Sequence, residues 1–227
     1  MIRAVIFDMY ETLITHYRSP LYFGAQMADD AGIAEEGFQA LWRPTEYDRT
    51  IGKLTFEEVV ENILRENRCY SGELVKKIVQ RRIETKEDCF KKIHEEIIPM
   101  LEQLKAKGIL IGLISNCFSE EAEVIRRSVL FPYFDAVYLS YEQGVQKPDK
   151  EIYKRCMADL GVRPEECLYI GDGGSNELEA ARTLGMKALQ AVWYLQEGTL
   201  QQTGRKAEFE QMERPMDILI YLTKERI

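Results

Sequence analysis

The fold of this chain is decided by the stretch Ala4-Val5-Ile6-Phe7-Asp8-Met9-Tyr10-Glu11-Thr12. Its first four residues form an apolar run rich in β-branched and aromatic side chains, which predicts a buried strand. The run ends abruptly at Asp8. Because a buried ionised carboxylate without a partner is costly, this acid is expected in a crevice that offers it a cation or hydrogen-bond donors. Ligands bind at the carboxyl ends of strands in open α/β sheets, so Asp8 marks a candidate site.

Size and composition are those of a globular protein. With 227 residues, 45% of them hydrophobic, the chain can bury one good core and a smaller accessory domain. The formal net charge of -8 argues against nucleic-acid and anionic-membrane binding, because both need a basic face. The five cysteines are odd in number and include no C-x-x-C pair, which argues against a disulfide framework or a zinc site.

Targeting signals are not evident in the sequence. No apolar run approaches the roughly 20 residues that a membrane helix needs. The chain starts in a strand-like segment instead of a charged leader with an apolar core. We therefore expect a cytoplasmic protein that acts on a small molecule and binds neither nucleic acid nor membrane. The sequence leaves the oligomeric state open.

The segment that follows the first strand has a helical pattern. Apolar residues at three- and four-residue spacing predict amphipathic helices over Glu57–Arg65 and Leu74–Ile83. Thr55 lies three residues before Glu58, the pattern of a capping box. No segment here has the pattern of a strand. The sequence thus predicts a helical cap domain over residues 17–90, inserted into a core made of residues 1–16 and 91–227.

Strand and helix patterns alternate along the rest of the chain. Strands are predicted at Ile109–Ile114, Ala136–Leu139, Leu168–Ile170 and Ala188–Val192. Helices are predicted at Ile98–Lys107, Glu120–Arg127, Lys150–Leu160, Glu177–Leu184 and Met216–Leu222. Residues 196–213 are polar and without a period, so they are predicted to form a loop. This alternation predicts an α/β fold, a doubly wound, Rossmann-like parallel sheet of about five strands.

Polar side chains follow four of the predicted strands. They are Asp8, Thr12, Ser115, Asn116, Lys147, Asp172 and Glu177. Because the carboxyl ends of parallel strands meet at one edge of a sheet, we expect these side chains to lie close together. Each short pattern is common by chance, whereas all four in this order, each at a strand boundary, form a strong combined signal.

These patterns resemble a known family. The run from Asp8 to Thr12 resembles the nucleophile motif Asp-x-Asp-x-Thr of the haloacid dehalogenase-like hydrolase superfamily, with Tyr10 in place of the second Asp. Ser115, Lys147 and Gly171-Asp172 match the other three motifs of that superfamily. The position of the helical insertion resembles the subfamily whose cap follows the first motif.

The resemblance implies a set of roles. Asp8 would be a nucleophile that forms a covalent aspartyl intermediate, and Lys147 would offset the charge of the phosphoryl oxygens. A Mg²⁺ cofactor would be held by Asp8, Asp172 and the backbone carbonyl of Tyr10, because hard oxygen ligands suit this ion. Glu177 would support the site by orienting metal-bound water. The residues implied to orient the substrate are Tyr10, Thr12, Ser115 and Asn116.

Tyr10 is the departure that separates the possible activities. A phenol with a reference pKa of about 10 can donate a hydrogen bond but is a poor general base at neutral pH. Haloacid dehalogenases carry Asp-x-Tyr-Gly-Thr and need neither a leaving-group acid nor a metal, and Trp42-Arg43 resembles their substrate-binding cap segment. Against dehalogenation, Glu11 replaces the Gly, and Gly171-Asp172 is the metal-binding form of the fourth motif.

We therefore expect a Mg²⁺-dependent phosphatase of small phosphorylated metabolites. Two alternatives remain: a 2-haloacid dehalogenase-type hydrolase in which Arg43 binds the substrate, and a degenerate member that binds a phosphorylated ligand without turnover. Similarity to phosphonoacetaldehyde hydrolase would require a cap lysine, for which Lys53 is the candidate. His16, His94 and Cys117 are expected to be structural.

Overall fold

A computed structural model describes residues 1–196 and 203–224 of the chain. Within these ranges, every helix is too short or too polar to cross a bilayer. The elements in chain order are β1 (Ala4–Phe7), α1 (Gly24–Ala31), α2 (Glu35–Trp42), α3 (Glu46–Thr50), α4 (Phe56–Glu66), α5 (Gly72–Lys91), α6 (Ile97–Ala106), β2 (Leu110–Ser115), α7 (Ser119–Arg126), β3 (Ala136–Leu139), α8 (Ser140–Gln143), α9 (Lys150–Leu160), β4 (Cys167–Gly171), α10 (Glu177–Thr183), β5 (Lys187–Ala191), β6 (Glu210–Met212) and α11 (Asp217–Lys224).

The strands form one parallel sheet in the order β3-β2-β1-β4-β5-β6. From β1 the chain proceeds outward through β2 to β3, and it then returns to add β4 on the other side of β1. The direction of the strand order therefore reverses between β1 and β4. The carboxyl ends of these two strands form the crevice in which doubly wound sheets bind ligands. The predicted α/β fold is confirmed.

Apolar residues of the strands pack on both faces of the sheet. In β1, Val5 and Phe7 join one apolar cluster, whereas Ala4 and Ile6 join the other. This alternation follows from the two-residue period of a strand. The first cluster is covered mainly by α6, α7 and α11, and the second by α9 and α10. Burial on both faces explains why β1 reads as a continuous apolar run.

The helices between β1 and β2 include a separate apolar cluster. Met27, Phe38, Val60 and Ile78 belong to it. This helical insertion after the first strand is the one that the sequence predicts, and the Thr55 capping box at the start of α4 is formed. The domain boundaries at residues 16/17 and 90/91 stay a prediction. The second boundary falls one residue before the end of α5, a helix that contributes to both the insertion and the core.

Two of the predicted segments differ from the structure by more than two residues. The predicted loop over 196–213 contains β6, which pairs with β5 and makes the sheet six-stranded instead of about five. Its sequence, Glu-Gln-Met, is too short and too polar to show a strand pattern. Residues 197–202 of that predicted loop lie outside the described residues. The helix predicted over Leu74–Ile83 continues to Lys91, because its second half buries charged side chains that hide the apolar period.

Candidate active site

Two strand ends at the reversal of strand order bring three carboxylates together. Asp8 follows β1 and Asp172 follows β4, and the Asp8 backbone N–H donates to the Ile170 carbonyl at 2.9 Å. One oxygen from each of Asp8, Asp172 and Glu177 lies within 4.8 Å of the others, and all three residues are buried. The expectation that these side chains meet at one edge of the sheet is met for this set.

Lys147 completes the buried centre. Its Nζ donates to Asp8 Oδ1 at 2.5 Å and to the Tyr169 hydroxyl at 3.4 Å. The lysine is held in place by Asn116, whose Oδ1 accepts from the Lys147 backbone N–H at 2.8 Å and whose Nδ2 donates to the Lys147 carbonyl at 3.0 Å. Asn116 therefore positions the lysine, and its role in orienting the substrate stays a prediction. Ser115 is fully buried at the end of β2.

The loop between β4 and α10 is shaped by its own acids. Glu177 accepts from the backbone N–H of Gly173 at 2.7 Å and of Ser175 at 2.6 Å, one bond to each carboxylate oxygen. Asp172 Oδ1 accepts from the Gly174 N–H at 3.0 Å. A carboxylate oxygen has two lone pairs, so each of these oxygens can still face a cation. Glu177 is thus built into the loop that presents Asp172.

Gln190 on β5 was not found from the sequence. Its side-chain amide donates to the Asp172 carbonyl at 2.8 Å, and this residue is almost fully buried. The hydroxyl of Thr203 donates to Asp172 Oδ2 at 3.0 Å. A Gln inside the apolar run Ala188–Val192 is the signal that could have identified the first contact.

The carboxylates carry more negative charge than the single nearby ammonium offsets. Burial outweighs the attraction to Lys147 and raises the pKa of Asp8 to about 6. Burial, followed by the charges of Glu177 and Asp8, raises the pKa of Asp172 to about 8. Burial opposes the charge of Lys147, but Asp8 and Glu177 raise its pKa overall, so the lysine stays protonated. A compact set of hard oxygen donors with excess negative charge fits a divalent cation such as Mg²⁺.

Two hydroxyls in the loop after Asp8 are buried without a hydrogen-bond partner among the described residues. They belong to Tyr10 and Thr12. Burial raises the pKa of the Tyr10 phenol well above its usual value, so this group stays protonated and can donate a hydrogen bond. Buried hydroxyls are normally paired, so these two donors are unusual in having no partner among the described residues.

His16 holds the Tyr10 ring in place. The two rings stack with their centroids 4.5 Å apart. His16 Nδ1 lies 3.1 Å from Glu11 Oε1, and Nε2 lies 2.5 Å from Lys86 Nζ, which fits a neutral imidazole that donates to Glu11 and accepts from the ammonium. Burial and the Lys86 charge lower the pKa of His16 to about 4. The imidazole is therefore neutral at physiological pH.

Glu11 adopts a left-handed backbone conformation, with φ of 58°. Most side chains are strained there, whereas glycine is not. Hydrogen bonds from the Thr15 hydroxyl at 2.5 Å and the His16 N–H at 3.0 Å hold its carboxylate. Haloacid dehalogenases carry a Gly at the position of Glu11. The backbone of this chain has a glycine-like conformation there, and the Glu11 side chain anchors His16.

A cavity of about 520 Å³ lies between the helical insertion and this edge of the sheet. Tyr10, Arg49, Lys86 and Phe118 are among its lining residues. A second cavity of about 470 Å³ shares Arg43, Glu46, Asn116, Phe118 and Glu121 with the first and also contacts Ser175. Tyr10 follows Asp8 by two residues and Ser175 lies between Asp172 and Glu177 in the sequence, so each cavity contacts a loop that carries one or more of the acids.

The cap residues named from the sequence lie in different places. Arg43 is exposed and lines both cavities. Lys53 points to solvent, pairs with Asp48 at 3.2 Å and lines neither cavity. The lysine that lines the larger cavity is Lys86, which sequence reasoning missed because a charged residue on an amphipathic helix is expected to face solvent.

Cys117 is buried, and burial raises the pKa of its thiol, so it is not an activated nucleophile.

Comparisons with known proteins agree with this geometry. A family model described as haloacid dehalogenase-like hydrolase matches residues 2–185. Glyceraldehyde 3-phosphate phosphatase from Methanopyrus kandleri is 26% identical to this chain over 204 residues, which cover 82% of each protein.

Solved structures share the fold at low sequence identity. A HAD phosphatase from Thermococcus onnurineus superposes with a TM-score of 0.71 at 19% identity and covers 100% of both chains. A HAD family enzyme from Bacteroides thetaiotaomicron, in complex with magnesium and inorganic phosphate, has a TM-score of 0.63 at 19% identity, covering 92% of this chain and 98% of that one. L-2-haloacid dehalogenase from Xanthobacter autotrophicus has a TM-score of 0.62 at 18% identity, covering 98% and 99%. Both a phosphatase and a haloacid dehalogenase therefore share this fold.

Proposed function

Because the chain belongs to the haloacid dehalogenase-like hydrolase family, we propose that it is a Mg²⁺-dependent phosphatase of small phosphorylated metabolites. The observation that carries this proposal is the packing of Asp8, Asp172 and Glu177 within 4.8 Å of one another at the reversal of strand order. Displacement of a halide by a carboxylate needs no metal, whereas attack on a phosphate dianion does. The phosphatase name of the Methanopyrus kandleri relative and the magnesium and phosphate in the Bacteroides thetaiotaomicron structure support the proposal.

Asp8 is assigned as the nucleophile. Its carboxylate oxygen forms a bond to phosphorus as the bond from phosphorus to the leaving-group oxygen breaks, and water then hydrolyses the resulting aspartyl phosphate. Lys147 is assigned to orient Asp8 and to offset charge on the transferred group, since its ammonium is buried and donates to Asp8 at 2.5 Å.

The metal site is assigned to Asp8, Asp172 and the backbone carbonyl of Tyr10, with Glu177 in support. These residues would hold Mg²⁺, which would offset the repulsion between the Asp8 carboxylate and the phosphate dianion. The hydrogen bonds from the Gly173 and Ser175 N–H groups to Glu177 keep the loop of Asp172 in one conformation. Such fixed positioning is what a metal site requires of the residues around its ligands.

Substrate binding is assigned to the remaining polar residues of the two cavities. Tyr10 carries a neutral phenol that can donate to the leaving-group oxygen but cannot act as a base near pH 7. The Thr12 and Ser115 hydroxyls and the Asn116 amide are assigned to the transferred phosphoryl group. Arg43 is assigned to the rim of the cavities. A cytoplasmic location stays a prediction from the sequence.

Turnover of an aryl phosphate tests the proposal. The wild-type protein should release phosphate from p-nitrophenyl phosphate in the presence of Mg²⁺ and should lose this activity on addition of EDTA. Asp8→Asn should abolish turnover, while Asp159→Asn, an identical change at an exposed position of α9, should leave it unchanged. Equal rates in the wild-type and Asp8→Asn proteins would overturn the assignment of the nucleophile.

The dehalogenase alternative is favoured by Tyr10 and by the segment Trp42-Arg43. This alternative predicts activity that does not depend on a metal ion. Halide release from a 2-haloacid in the presence of EDTA, with no turnover of any phosphate ester, would establish it. Tight binding of inorganic phosphate without turnover of either substrate class would instead identify a non-enzymatic member.

A further inference from the structure

Arg49 is a buried cation in the wall of the larger cavity. Only 1% of the residue is exposed, although it belongs to the short helix α3 and lines the cavity. Its guanidinium carbon lies 3.4 Å from the centroid of the Trp42 ring and 4.1 Å from that of Phe118. The two aromatic rings fix the plane of the guanidinium and exclude water from it.

The hydrogen bonds of Arg49 leave one nitrogen unused. Nε donates to the Thr45 hydroxyl at 3.0 Å, and Nη2 donates to the Trp42 carbonyl at 3.1 Å. Nη1 is buried and has no acceptor among the described residues. Neither of the two acceptors is charged, and Arg49 forms no ion pair within the described ranges. Burial lowers the pKa of Arg49 to about 10, so the side chain is still charged at neutral pH.

Arg82 lines the same cavity and, unlike Arg49, forms ion pairs with carboxylates. Its Nε donates to Glu120 at 3.1 Å, and its Nη2 donates to Glu121 at 3.1 Å. Its Nη1 donates to the Tyr22 carbonyl at 2.7 Å. Each nitrogen of this guanidinium has an acceptor, and the two carboxylates offset the charges of Arg82 and of Lys86, whose Nζ lies 2.6 Å from Glu121. Buried charges are normally paired in this way, whereas Arg49 has no ion pair among the described residues.

We propose that Arg49 binds a carboxylate of the substrate, and that the natural substrates are small phosphomonoesters with a carboxylate at the end remote from the phosphate. This inference rests on the proposed phosphatase function. One nitrogen without an acceptor and a charge without an ion pair suit a monoanion. Glu46 and Glu121 line the same cavity and partly offset the charge of Arg49, which favours a singly charged carboxylate over a second phosphate dianion. A cavity of about 520 Å³ has the size of a small-metabolite site.

A matched series of substrates tests the proposal. The probes are ω-carboxyalkyl phosphates of increasing chain length and the primary amides of the same acids, which differ from them in charge but hardly in shape. For the chain length that fits, kcat/KM for the acid should exceed that for the amide by roughly 10- to 100-fold, the size expected of a hydrogen bond to a charged group. High ionic strength should reduce this preference only slightly, because the ion pair between Arg49 and the substrate carboxylate is buried.

Three variants assign this preference to Arg49. Arg49→Met should reduce kcat/KM for the acid to that for the amide, with p-nitrophenyl phosphate turnover retained as evidence of folding. Arg49→Lys should keep part of the preference, since it restores charge without the planar fork. The control is Arg65→Met, which removes a cap arginine that also stacks on an aromatic ring, Tyr70 at 3.7 Å, but at the surface. This control should keep the full preference.

Failure of the inference is distinguishable from failure of the phosphatase proposal. Asp8-dependent turnover of p-nitrophenyl phosphate without any preference for the acid would overturn the inference and leave the phosphatase intact, as would a stronger preference for a bisphosphate. If no phosphate ester is turned over, calorimetry with the ω-hydroxyalkanoates and their amides decides the matter. Tighter binding of the acid that is lost in Arg49→Met supports the carboxylate site, and equal binding of both overturns it.

Discussion

At the scale of single residues, position 10 is where the chain departs from the phosphatase motif that it resembles. The phosphatase motif that this chain resembles carries a carboxylate there, whereas Tyr10 presents a phenol whose pKa is raised by burial. The phenol can donate a hydrogen bond to a leaving oxygen but cannot accept a proton from water. The stacking of His16 on Tyr10, and the hydrogen bonds of His16 to Glu11 and Lys86, hold the ring in one orientation. The orientation of the Tyr10 ring is thus fixed by its neighbours.

Restoring the carboxylate at this position should increase the rate. We expect Tyr10→Asp to raise kcat by at least roughly tenfold, because a general acid and base contributes about 100- to 10,000-fold where it is well placed. The gain should be larger for an alkyl phosphate than for p-nitrophenyl phosphate, since the poorer leaving group depends more on protonation. Steady-state kinetics on both substrates measure it.

Tyr10→Phe is the matched control for this prediction. It keeps the ring and its stacking on His16 but removes the hydroxyl, so kcat for the alkyl phosphate should fall. A Tyr10→Asp variant with the same ratio of alkyl to aryl rates as the wild type would show that position 10 does not contact the leaving group.

At the scale of elements, α5 and α7 are joined by a buried ion network. Arg82 and Lys86 of α5 contact Glu120 and Glu121 of α7, with Lys86 Nζ 2.6 Å from Glu121. All four residues are buried. Because α5 begins in the helical insertion and α7 follows β2, this network fixes the insertion against the core beside the cavity. Buried pairs of this kind specify one arrangement more than they stabilise it.

Two neighbouring arginines of α5 should differ sharply in their effect on stability. Arg82→Met leaves the buried Glu120 carboxylate without an ion pair and leaves Glu121 with Lys86 alone, so it should lower the free energy of unfolding by about 3–5 kcal/mol. Arg81→Met removes an exposed ion pair with Asp30 and should cost no more than about 1 kcal/mol. Urea denaturation of both variants measures the difference. Similar losses in the two proteins would contradict the role given to the buried network.

The same helix shows how far the sequence predicts the fold. The strand at Ala4–Phe7 and the helix at Lys150–Leu160 have the bounds that their sequence patterns predict, because burial there is apolar and regular. The second half of α5 escapes prediction because it buries Arg82 and Lys86, whose partners come from a distant element. A pattern of apolar residues cannot reveal charges that are buried in pairs.

The candidate site divides in the same way. Asp8 and Asp172 could be predicted to meet because each follows a strand, and parallel strands end at a common edge. Arg49 could not be found, since its burial depends on Trp42 from the preceding helix and on Phe118 from beyond β2. The contact of Gln190 with the Asp172 carbonyl likewise depends on a neighbouring strand. Residues placed by the topology are readable from the sequence, whereas residues placed by side-chain packing are not.

At the scale of the whole molecule, the sheet topology concentrates negative charge at its centre. The reversal of strand order between β1 and β4 places Asp8 and Asp172 side by side, with Glu177 behind them. In the metal-free protein, burial and mutual repulsion raise the pKa of Asp8 to about 6 and that of Asp172 to about 8. The free energy of unfolding should therefore depend, through this site, on pH and on a bound cation.

The stability of the metal-free protein should fall as pH rises from about 4 to about 8. In this range the folded state retains protons on Asp8 and Asp172 that the unfolded chain, with ordinary carboxyl pKa values near 4, has released. Since the folded state binds more protons, raising the pH favours unfolding. Mg²⁺ removes this penalty by replacing the protons, so its stabilising effect should grow with pH.

Calorimetric Tm values with Mg²⁺ and with EDTA, at about pH 5 and about pH 8, test this dependence. Mg²⁺ at a hundredfold excess over its Kd stabilises by about 2.7 kcal/mol, which corresponds to roughly 5–10 °C in a chain of this size. We expect a shift of this order at pH 8 and a much smaller one at pH 5, where protons compete for the carboxylates. Asp172→Asn should abolish the shift, while Asp159→Asn should keep it. An equal shift at both pH values, or one retained in Asp172→Asn, would show that Mg²⁺ stabilises the protein elsewhere than at the centre of the sheet.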